Sequence, residues 1–518
     1  MVSHTRGDLW RDPWLYAVAV FAIGFHLPLF RWLLWLADEG VSIHAAVKIL
    51  NGHTPYRDFF EILPPGSFLI VAAWMKVFGQ SFASVRALAI VTVATTAVLV
   101  YTAARLVSGR GVVAAGIAAA WTASAPWFDI NHHWFTTAAS MASAVSLMIA
   151  LTRGPSRLSL FTAGLFAGGA AMITHTRGAL LAAAVLAVVA CGMSDGIRRV
   201  RWVIAGLVVA PAGIAVYLAA SGALQTAVAE VIVFPLRHYA GIQVVAFGAS
   251  ATLADAGLVA FFPLTVLLAA VTVARGRWRS LPFGASVALA AVGFIGAYPR
   301  PDTVHLAFAT PLAAPLLAST TSGLLAALES VRTRLALSVL LALLTVWVVG
   351  YGTLSRLAML SRPRQTILTP RGPAERAVNV WTSDLAQLVA GIDRHTSRDA
   401  RFFFYPFMPM LPYLLDRHHV GRTDVMVPGY TTSAQYADAC AEVLARAEWV
   451  VIDRTWTDPH YLKTLFPALT DANPGEKRRF ETALTHGFQA VHTSRSFEVR
   501  QRTARAGPAL CGGIAGGD

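Results

Sequence analysis

The chain has 518 residues, of which 56% are hydrophobic and only 14% are charged. Soluble proteins are about 25% charged, so an ordinary cytosolic enzyme is excluded, and the hydrophobic content also excludes a disordered chain. The formal net charge is +14, but the basic residues are scattered, whereas a nucleic-acid-binding protein would cluster them on one face. The apolar runs are too long for β-barrel strands. We therefore expect an all-α polytopic membrane protein with a small C-terminal α/β domain.

Eleven apolar runs are predicted to cross the membrane as helices. They are Trp14–Leu36, Leu88–Leu106, Val112–Phe128, Phe135–Leu151, Leu158–Thr174, Ala179–Cys191, Trp202–Ala220, Leu253–Ala274, Pro282–Tyr298, Leu306–Leu328 and Leu335–Leu354. A further apolar segment, Pro64–Phe78, begins with two prolines and is long enough for only about four helical turns. We expect it to be a juxtamembrane or re-entrant helix.

The arginines predict the orientation of these helices. Basic residues gather at every second loop, for example at Arg105 and Arg110 and again at Arg198 and Arg199. Because cytoplasmic loops are enriched in Lys and Arg, we expect a cytoplasmic N-terminus. The odd number of spans then places the C-terminal domain outside the cytoplasm. A composition rich in Arg, Ala and Val is typical of a GC-rich bacterial genome, which indicates the bacterial cell (inner) membrane.

The composition becomes polar after the last apolar run, which predicts a transmembrane domain, residues 1–358, and an extracytoplasmic α/β domain, residues 359–518. The predicted elements of the second domain are the helices Ala374–His395, Thr432–Arg446 and Glu476–His486 and the strands Arg401–Tyr405, Trp449–Asp453, Phe488–His492 and Ser496–Arg500. The glycine-rich tail Ala506–Asp518 is expected to be disordered. Cys440 and Cys511 can form one disulfide bond if this domain is extracytoplasmic, but their spacing does not decide it.

Charged residues follow the first apolar run. Asp38 and Glu39 are expected at the C-terminal end of the first helix, where the helix dipole disfavours negative charge. They are either a solvated pair that ends the helix or a carboxylate base whose pKa is raised by desolvation at the membrane surface. The segment 51–65 then combines Arg57, Asp58 and Glu61 with aromatic residues. An ordinary interfacial loop would need the aromatic residues but not the charges.

A third cluster is predicted at the same membrane face. Asp129, His132 and His133 occupy a tight loop. They are candidate ligands of a divalent metal together with Asp38 or Glu39, although their spacing matches no known zinc pattern.

Basic residues at this face are candidate ligands of a phosphate. Arg300, which stands between two prolines, and His305 are predicted at the outer ends of two spans, where charge-assisted hydrogen bonds suit a phosphate. Alternatively, Arg300 pairs with Asp302 as a boundary cap. Arg237 is either a further phosphate ligand or a surface residue. Carboxylates, phosphate ligands and an apolar helix bundle together indicate a lipid-phosphate substrate whose head group is joined to an acceptor.

The first outer loop resembles that of the GT-C glycosyltransferases. The motifs that carry the resemblance are Asp38-Glu39, the stretch Gly-His-Thr-Pro-Tyr-Arg-Asp-Phe-Phe-Glu at 52–61, and Pro64-Pro65-Gly66. Segment 79–86, Asp129 and segment 300–305 extend the resemblance over the membrane part. The branch to which the chain is most similar is family 39, which contains protein O-mannosyltransferases and the aminoarabinose transferases of lipid A.

The resemblance implies a polyprenyl-phosphate sugar as donor, a lipid, glycan or protein as acceptor, and an active site at the outer face. Asp38 matches the catalytic aspartate, which accepts the acceptor's proton in a single displacement with inversion. Glu61 and Asp129 match acidic residues that orient the substrate or the base. Leu63 stands where some relatives have a basic residue. Members of this branch usually need no metal, so the resemblance implies no cofactor.

The residues assigned to catalysis are thus Asp38 and Glu39, and those assigned to substrate binding are Arg57, Asp58, Glu61, Asp129, His132, Arg237, Arg300 and His305. Two other functions remain open. A transporter or flippase of the same lipid would be expected to show an internal repeat, which the sequence lacks. A polymerase or ligase of surface polysaccharide would use an arginine- and histidine-based site, and Asp38 would then be dispensable.

Overall fold

A computed structural model describes residues 9–124, 129–249, 251–252, 255–274 and 280–512. Three predicted features fall partly outside these ranges: the end of the span Val112–Phe128, the start of the span Leu253–Ala274, and residues 513–518 of the tail.

The membrane part is helical. In chain order its helices are α1 (Pro13–His26), α2 (Asp38–Leu50), α3 (Gly66–Phe78), α4 (Phe82–Ser108), α5 (Gly111–Ser124), α6 (His132–Arg153), α7 (Arg157–Ala171), α8 (His175–Gly192), α9 (Gly196–Leu207), α10 (Val209–Ala220), α11 (Leu224–Val228), α12 (Ala256–Ala274), α13 (Leu281–Gly296), α14 (Thr303–Ala309), α15 (Ala314–Ala327) and α16 (Val331–Leu360). Short 3-10 or π-helical turns lie at Leu9–Arg11, Leu27–Leu29, Ala229–Val233, Pro235–Tyr239, Ala240–Gln243 and Thr310–Ala313.

The predicted fold class is confirmed, and a helix occurs at each predicted span. Among the described residues, seven helical stretches are long and apolar enough to cross a membrane, namely Phe82–Ser108, His132–Arg153, His175–Gly192, Gly196–Ala220, Ala256–Ala274, Thr303–Ala327 and Val331–Leu360. Helices α1, α5 and α13 are apolar but shorter, and α7 has 15 residues. Helix α3 has only 13 residues, which agrees with a segment too short to span.

The first helix is shorter than predicted, because α1 ends at His26 and not at Leu36. The non-helical residues that follow pair with a strand near the C-terminal side of the chain. The Leu33 amide donates to the Glu375 carbonyl at 2.9 Å, and the Glu375 amide donates to the Arg31 carbonyl at 2.7 Å. In a longer helix these main-chain amides and carbonyls would form hydrogen bonds within the helix, whereas here they bond to that strand. Asp38 and Glu39 therefore begin α2.

The C-terminal part follows α16. Its strands are β1 (Arg364–Thr369), β2 (Gly372–Ala377), β3 (Arg401–Tyr405), β4 (His418–His419), β5 (Trp449–Asp453), β6 (Phe488–Thr493) and β7 (Phe497–Arg502). Its helices are α17 (Val380–His395), α18 (Met410–Leu415), α19 (Ser433–Arg446), α20 (Arg454–Thr457), α21 (Pro459–Leu465) and α22 (Gly475–Gly487). Strands β1 and β2 form an antiparallel hairpin. The other five form a mixed sheet of order β4-β3-β5-β7-β6, in which β3 is parallel to β4 and β5, and β7 is antiparallel to β5 and β6.

Two expectations for this part are wrong. The predicted helix Ala374–His395 begins as strand β2 and becomes helical only at Val380, where the Asn379 side chain caps α17 by accepting from an amide at 2.8 Å. The tail is not disordered as far as Gly512, because Pro508–Cys511 forms a 3-10 turn and Cys511 is disulfide-bonded to Cys440.

Strand β3 joins two cores. Phe402 and Phe404 are buried in the main core, which also contains residues of the membrane helices, whereas Phe403 and Tyr405 are buried in a second core with α19 and α22. Alternate residues of a strand point to opposite faces, so both faces of this sheet are covered. The C-terminal part is thus packed against the helix bundle.

Gly40 marks the closest approach between α2 and α18. A Cβ added at Gly40 would lie 2.1 Å from the Met410 amide nitrogen. That amide donates to the Leu36 carbonyl at 3.0 Å. The beginning of α2, which carries Asp38, is therefore held directly by the backbone of the C-terminal part.

Candidate active site

A cavity of about 90 Å³ lies where α2, the 51–65 loop and the C-terminal part meet, and we call it the Asp38 cavity. Its lining consists of the polar residues Asp38, Glu61, His132, Tyr239, Asp424 and Tyr430 and the apolar residues Val41, Phe60, Ile62, Leu63, Phe407 and Val425. Three predicted site residues, Asp38, Glu61 and His132, are distant in sequence, and the structure brings them to this one cavity.

Asp38 is the first residue of α2. This position corrects the expectation of a helix C-terminus, because the dipole at a helix N-terminus stabilises negative charge. The side chain is accessible through the cavity, and no described residue donates a hydrogen bond to its carboxylate. Burial deep among protein atoms raises the pKa of Asp38 to about 6, with a smaller contribution from the Asp129 carboxylate. Asp38 is thus an available carboxylate that is mostly ionised at pH 7.

Glu61 faces the same cavity from the 51–65 loop. Its Oε1 accepts from the amides of Ile62 at 2.9 Å and Leu63 at 3.4 Å. Burial nevertheless raises the pKa of Glu61 to about 8, so this group is mostly protonated at pH 7. Asp38 and Glu61 therefore share one cavity but differ in protonation state at pH 7. In such a pair the ionised group can act as a base and the protonated group can donate a hydrogen bond.

Asp424, which was not predicted, lines the cavity from the C-terminal part. The Lys48 ammonium donates to both of its oxygens at 2.9 Å, and His44 Nδ1 lies 3.0 Å from Oδ2. Burial alone would raise its pKa, but His44 and Lys48 hold the pKa of Asp424 well below its usual value. His44 and Lys48 are four residues apart and share one face of α2, which is a signal in the sequence. Asp424 is 376 residues from Lys48 and has no local signal.

Two tyrosines that were also not predicted form an aromatic wall of the cavity. The rings of Tyr239 and Tyr430 meet edge to face with centroids 4.8 Å apart. The Gln243 amide donates to the Tyr430 hydroxyl at 2.8 Å. Such side chains present both an apolar ring and a polar tip, so this wall offers a ligand apolar contact and hydrogen bonds.

Glu39 and Asp129 are buried behind the cavity and do not line it. The Glu39 carboxylate is fully buried and pairs with the Arg86 guanidinium of α4. Asp129 Oδ1 accepts from the Trp134 indole at 3.0 Å. Both acidic side chains are thus paired with residues of the helix bundle and lie outside the lining of the Asp38 cavity.

Arg300 lies near the cavity and is linked to its wall, because its Nη1 donates to Gln243 Oε1 at 3.4 Å and Gln243 donates to the Tyr430 hydroxyl. Its Nε donates to Asp302 Oδ2 at 2.8 Å, and its Nη2 donates to a carbonyl oxygen of α21 at 3.0 Å. Asp302 caps α14 by accepting from the His305 amide at 3.0 Å, and its Oδ1 lies 2.7 Å from His305 Nδ1. The predicted ion pair between Arg300 and Asp302, the residue that caps α14, is therefore present. The charge of Arg300 still acts on Asp38, whose ionised form it favours.

The other predicted basic residues do not line the Asp38 cavity. Arg57 is half exposed and pairs with Asp58 at 2.8 Å, while Asp58 also accepts from the Thr54 amide at 2.6 Å. Arg237 is exposed on the turn Pro235–Tyr239.

The histidines of the predicted metal cluster make ring contacts. The rings of His132 and His133 lie with centroids 3.9 Å apart, and His133 stacks on Phe308 at 4.8 Å. Within the described ranges, no group of three or more His, Cys, Asp or Glu side chains is arranged to hold a metal ion.

Comparisons with known proteins found solved structures similar to this chain, including those of ArnT and AftD. The crystal structure of ArnT from Cupriavidus metallidurans bound to undecaprenyl phosphate has a TM-score of 0.56 and 12% sequence identity, and the match covers 95% of this chain and 98% of that chain. The cryo-EM structure of the arabinofuranosyltransferase AftD from Mycobacteria has a TM-score of 0.52 and 12% identity, and the match covers 95% of this chain and 40% of that chain. No family model and no curated protein matches the chain. Both similar structures are GT-C glycosyltransferases, and this chain has their fold, as the resemblance in its 38–66 segment predicted.

Proposed function

We propose that the protein is a membrane glycosyltransferase that moves a sugar from a polyprenyl-phosphate donor to an acceptor hydroxyl. The observation that carries this proposal is the Asp38 carboxylate, which is accessible, free of hydrogen bonds from the described residues and raised in pKa within a cavity beside an apolar helix bundle. The similarity to ArnT, which was solved with undecaprenyl phosphate bound, supports the class of donor.

Asp38 is the general base of the proposed reaction. It accepts the proton of the acceptor hydroxyl while that oxygen attacks the anomeric carbon of the donor sugar. The bond between the anomeric carbon and the phosphate oxygen breaks, and polyprenyl phosphate leaves with the electron pair. A single displacement of this kind inverts the anomeric configuration. Tyr239, Tyr430 and Asp424 line the space in which the sugar would be oriented.

Glu61 acts as a hydrogen-bond donor in this proposal. Its pKa of about 8 keeps the carboxylic acid neutral at pH 7, and a neutral acid does not repel a phosphate. No Lys or Arg is among the residues that line the Asp38 cavity within the described part of the chain. A protonated Glu61 would therefore reduce the electrostatic cost of bringing a phosphate next to Asp38.

Arg300 is the proposed ligand of the donor phosphate. It is the cation whose charge lowers the pKa of Asp38 against the effect of burial, and its side chain is one-fifth exposed. To bind a phosphate it would exchange one of its present partners for the ligand. A guanidinium suits this role because it can donate two parallel hydrogen bonds.

The proposal includes an orientation, with the N-terminus cytoplasmic and the domain from residue 359 extracytoplasmic. The arginine distribution supports it. A membrane-impermeant thiol reagent tests it in intact cells, using cysteines introduced singly at Gly109 and Thr396 of a Cys191→Ser chain. Labelling at 396 and none at 109 is expected, and the opposite pattern would invert the topology.

The test of the activity is the variant Asp38→Asn. This change keeps the size of the side chain and removes the base, so transfer should fall about 10²- to 10⁴-fold while the protein stays folded. The matched control is Asp438→Asn, at an exposed position of α19, which should keep full activity. Transfer by purified Asp38→Asn within twofold of wild type would contradict the assignment and favour a polymerase- or ligase-type site based on arginine and histidine.

A further inference from the structure

A second and larger cavity of about 260 Å³ lies between α2 and the C-terminal part. Five of its lining residues are Lys or Arg, three are Asp or Glu, and four are His. The cations are Lys48, Arg371, Arg417, Arg422 and Arg446. We call it the basic cavity. None of the roles given above to Asp38, Glu61 or Arg300 uses it.

Two arginines of the basic cavity keep donors available for a ligand. Within the described part of the chain, Arg422 donates only through Nη2, to the Tyr56 carbonyl at 2.6 Å and to Glu230 at 3.1 Å. Arg446 donates only through Nη1, to Glu442 at 2.7 Å. A guanidinium has five N–H groups, so each of the two side chains has donors that these contacts leave unused. Both side chains are about half exposed and can be reached from solvent.

The other cations of the basic cavity are held in place. Arg417 is almost fully buried and donates to the Leu415 carbonyl at 2.9 Å. Arg371 pairs with Asp416 and lies over the Tyr413 ring at 5.5 Å. Their positions are fixed before any ligand arrives, so a ligand would not have to order them, and preorganised charges bind more tightly than mobile ones.

The positive potential of the basic cavity affects a neighbouring histidine. Burial lowers the pKa of His418, and the charges of Arg446, His53 and Lys48 lower it further. A group surrounded by net positive charge resists protonation. The same field attracts an anion, because the five cations of this concave site outnumber its three carboxylates.

One wall is shared by the two cavities. Lys48 lines the basic cavity and donates to Asp424, which lines the Asp38 cavity. His44 lies on the same wall and contacts the same carboxylate at 3.0 Å. The ion pair between Lys48 and Asp424 therefore separates a molecule bound in the basic cavity from the Asp38 cavity.

We propose that the basic cavity binds an oxyanion, a phosphate ester or a carboxylate, carried by the glycosyl acceptor. The arginines match the planar geometry of such groups through paired hydrogen bonds. The assignment of the ligand to the acceptor rests on the proposed transferase function, whereas the existence of an anion site does not. The C-terminal part would then select acceptors by charge and hold them beside Asp38.

Binding is tested first, by calorimetry of the purified full chain in detergent with inorganic phosphate, acetate or glucose as the probe. Saturable binding of phosphate or acetate and none of glucose is expected, and whichever anion binds more tightly identifies the class of oxyanion. Arg446→Gln should weaken binding by at least about tenfold, because a charge-assisted hydrogen bond is lost. Arg479→Gln removes the same charge from an exposed position of α22 and should leave binding unchanged.

Equal weakening by the two variants, or no saturable anion binding by the wild-type chain, would overturn the anion site. The second measurement is transfer with a charged acceptor, in which Arg446→Gln should raise the acceptor KM about tenfold and leave the donor KM unchanged. An unchanged acceptor KM, with anion binding intact in the wild type, would separate the site from the acceptor. Absence of transfer by any preparation that binds the anion would refute the transferase function and leave the anion site standing.

Discussion

The rate of sugar transfer should depend on pH in a way that identifies the protonation states of Asp38 and Glu61. Asp38 has a pKa of about 6 and must be ionised to act as a base, so activity is lost as the pH falls through 6. Its ionised fraction drops from about nine-tenths at pH 7 to about one-tenth at pH 5, and kcat/KM should fall about tenfold. An aspartate with an ordinary pKa of about 3.9 would stay about nine-tenths ionised at pH 5 and lose almost nothing.

The alkaline side of the profile reports Glu61. With a pKa of about 8, this group must be protonated to donate a hydrogen bond, so activity is lost as the pH rises through 8. Its protonated fraction is about one-tenth at pH 9, and the profile should be bell-shaped with its maximum near pH 7. In Glu61→Gln the side chain stays neutral, so the alkaline loss should disappear while the acid loss remains.

The assay is kcat/KM of the purified enzyme with a polyprenyl-phosphate sugar at low donor concentration, because kcat/KM reports the groups of the free enzyme. The donor is a phosphodiester and stays ionised over this pH range, so it does not contribute its own titration. A profile that is flat between pH 5 and 7 in a folded protein would refute the raised pKa of Asp38. An alkaline loss that persists in Glu61→Gln would refute the role of Glu61.

Three substitutions test the surroundings of the site. Arg300→Ala should raise the donor KM strongly and Arg300→Lys should restore it only in part, since an ammonium cannot donate two parallel hydrogen bonds; an unchanged donor KM in folded Arg300→Ala would end the phosphate role. Glu39→Gln breaks a fully buried ion pair and should lower the free energy of unfolding by about 3–5 kcal/mol, as measured by thermal unfolding. The control Glu448→Gln breaks an exposed ion pair and should lower it by at most about 1 kcal/mol. Gly40→Ala should lower the free energy of unfolding by about 1–3 kcal/mol and reduce transfer, because its Cβ would meet a backbone nitrogen at 2.1 Å. Gly24→Ala is the control, since nothing lies within 4 Å of its Cβ. Equal stabilities of the two variants would show that α2 and α18 separate freely.

The C-terminal part contributes directly to the candidate site. Phe407, Asp424, Val425 and Tyr430 line the Asp38 cavity, and the backbone contact at Gly40 holds the start of α2. A chain that ends after α16 would lose one side of the cavity and the partner of Lys48. We therefore infer that the membrane helices alone do not make a complete site.

Local patterns in the sequence were sufficient for several features. Apolar runs of membrane-spanning length predicted the helices. A membrane helix forms all its main-chain hydrogen bonds within its own segment, so the residues of that segment are enough to predict it. The short Pro64–Phe78 segment agrees with helix α3, and the strands Arg401–Tyr405 and Trp449–Asp453 have the predicted bounds. The acidic pair at Asp38 and the motif that follows it pointed to the GT-C fold.

Other features depended on contacts between distant residues. The chain at Arg31 and Leu33 is non-helical and exchanges hydrogen bonds with β2, and hydropathy carries no information about that strand. Asp424 reaches Lys48 across 376 residues. The pKa values of Asp38 and Glu61 are raised by burial among residues that are distant in sequence, which no local pattern specifies. The sequence by itself therefore determined which residue types and helices were present, and the tertiary structure decided which carboxylates share a cavity and in which protonation state, because desolvation and pairing act through space and not along the chain.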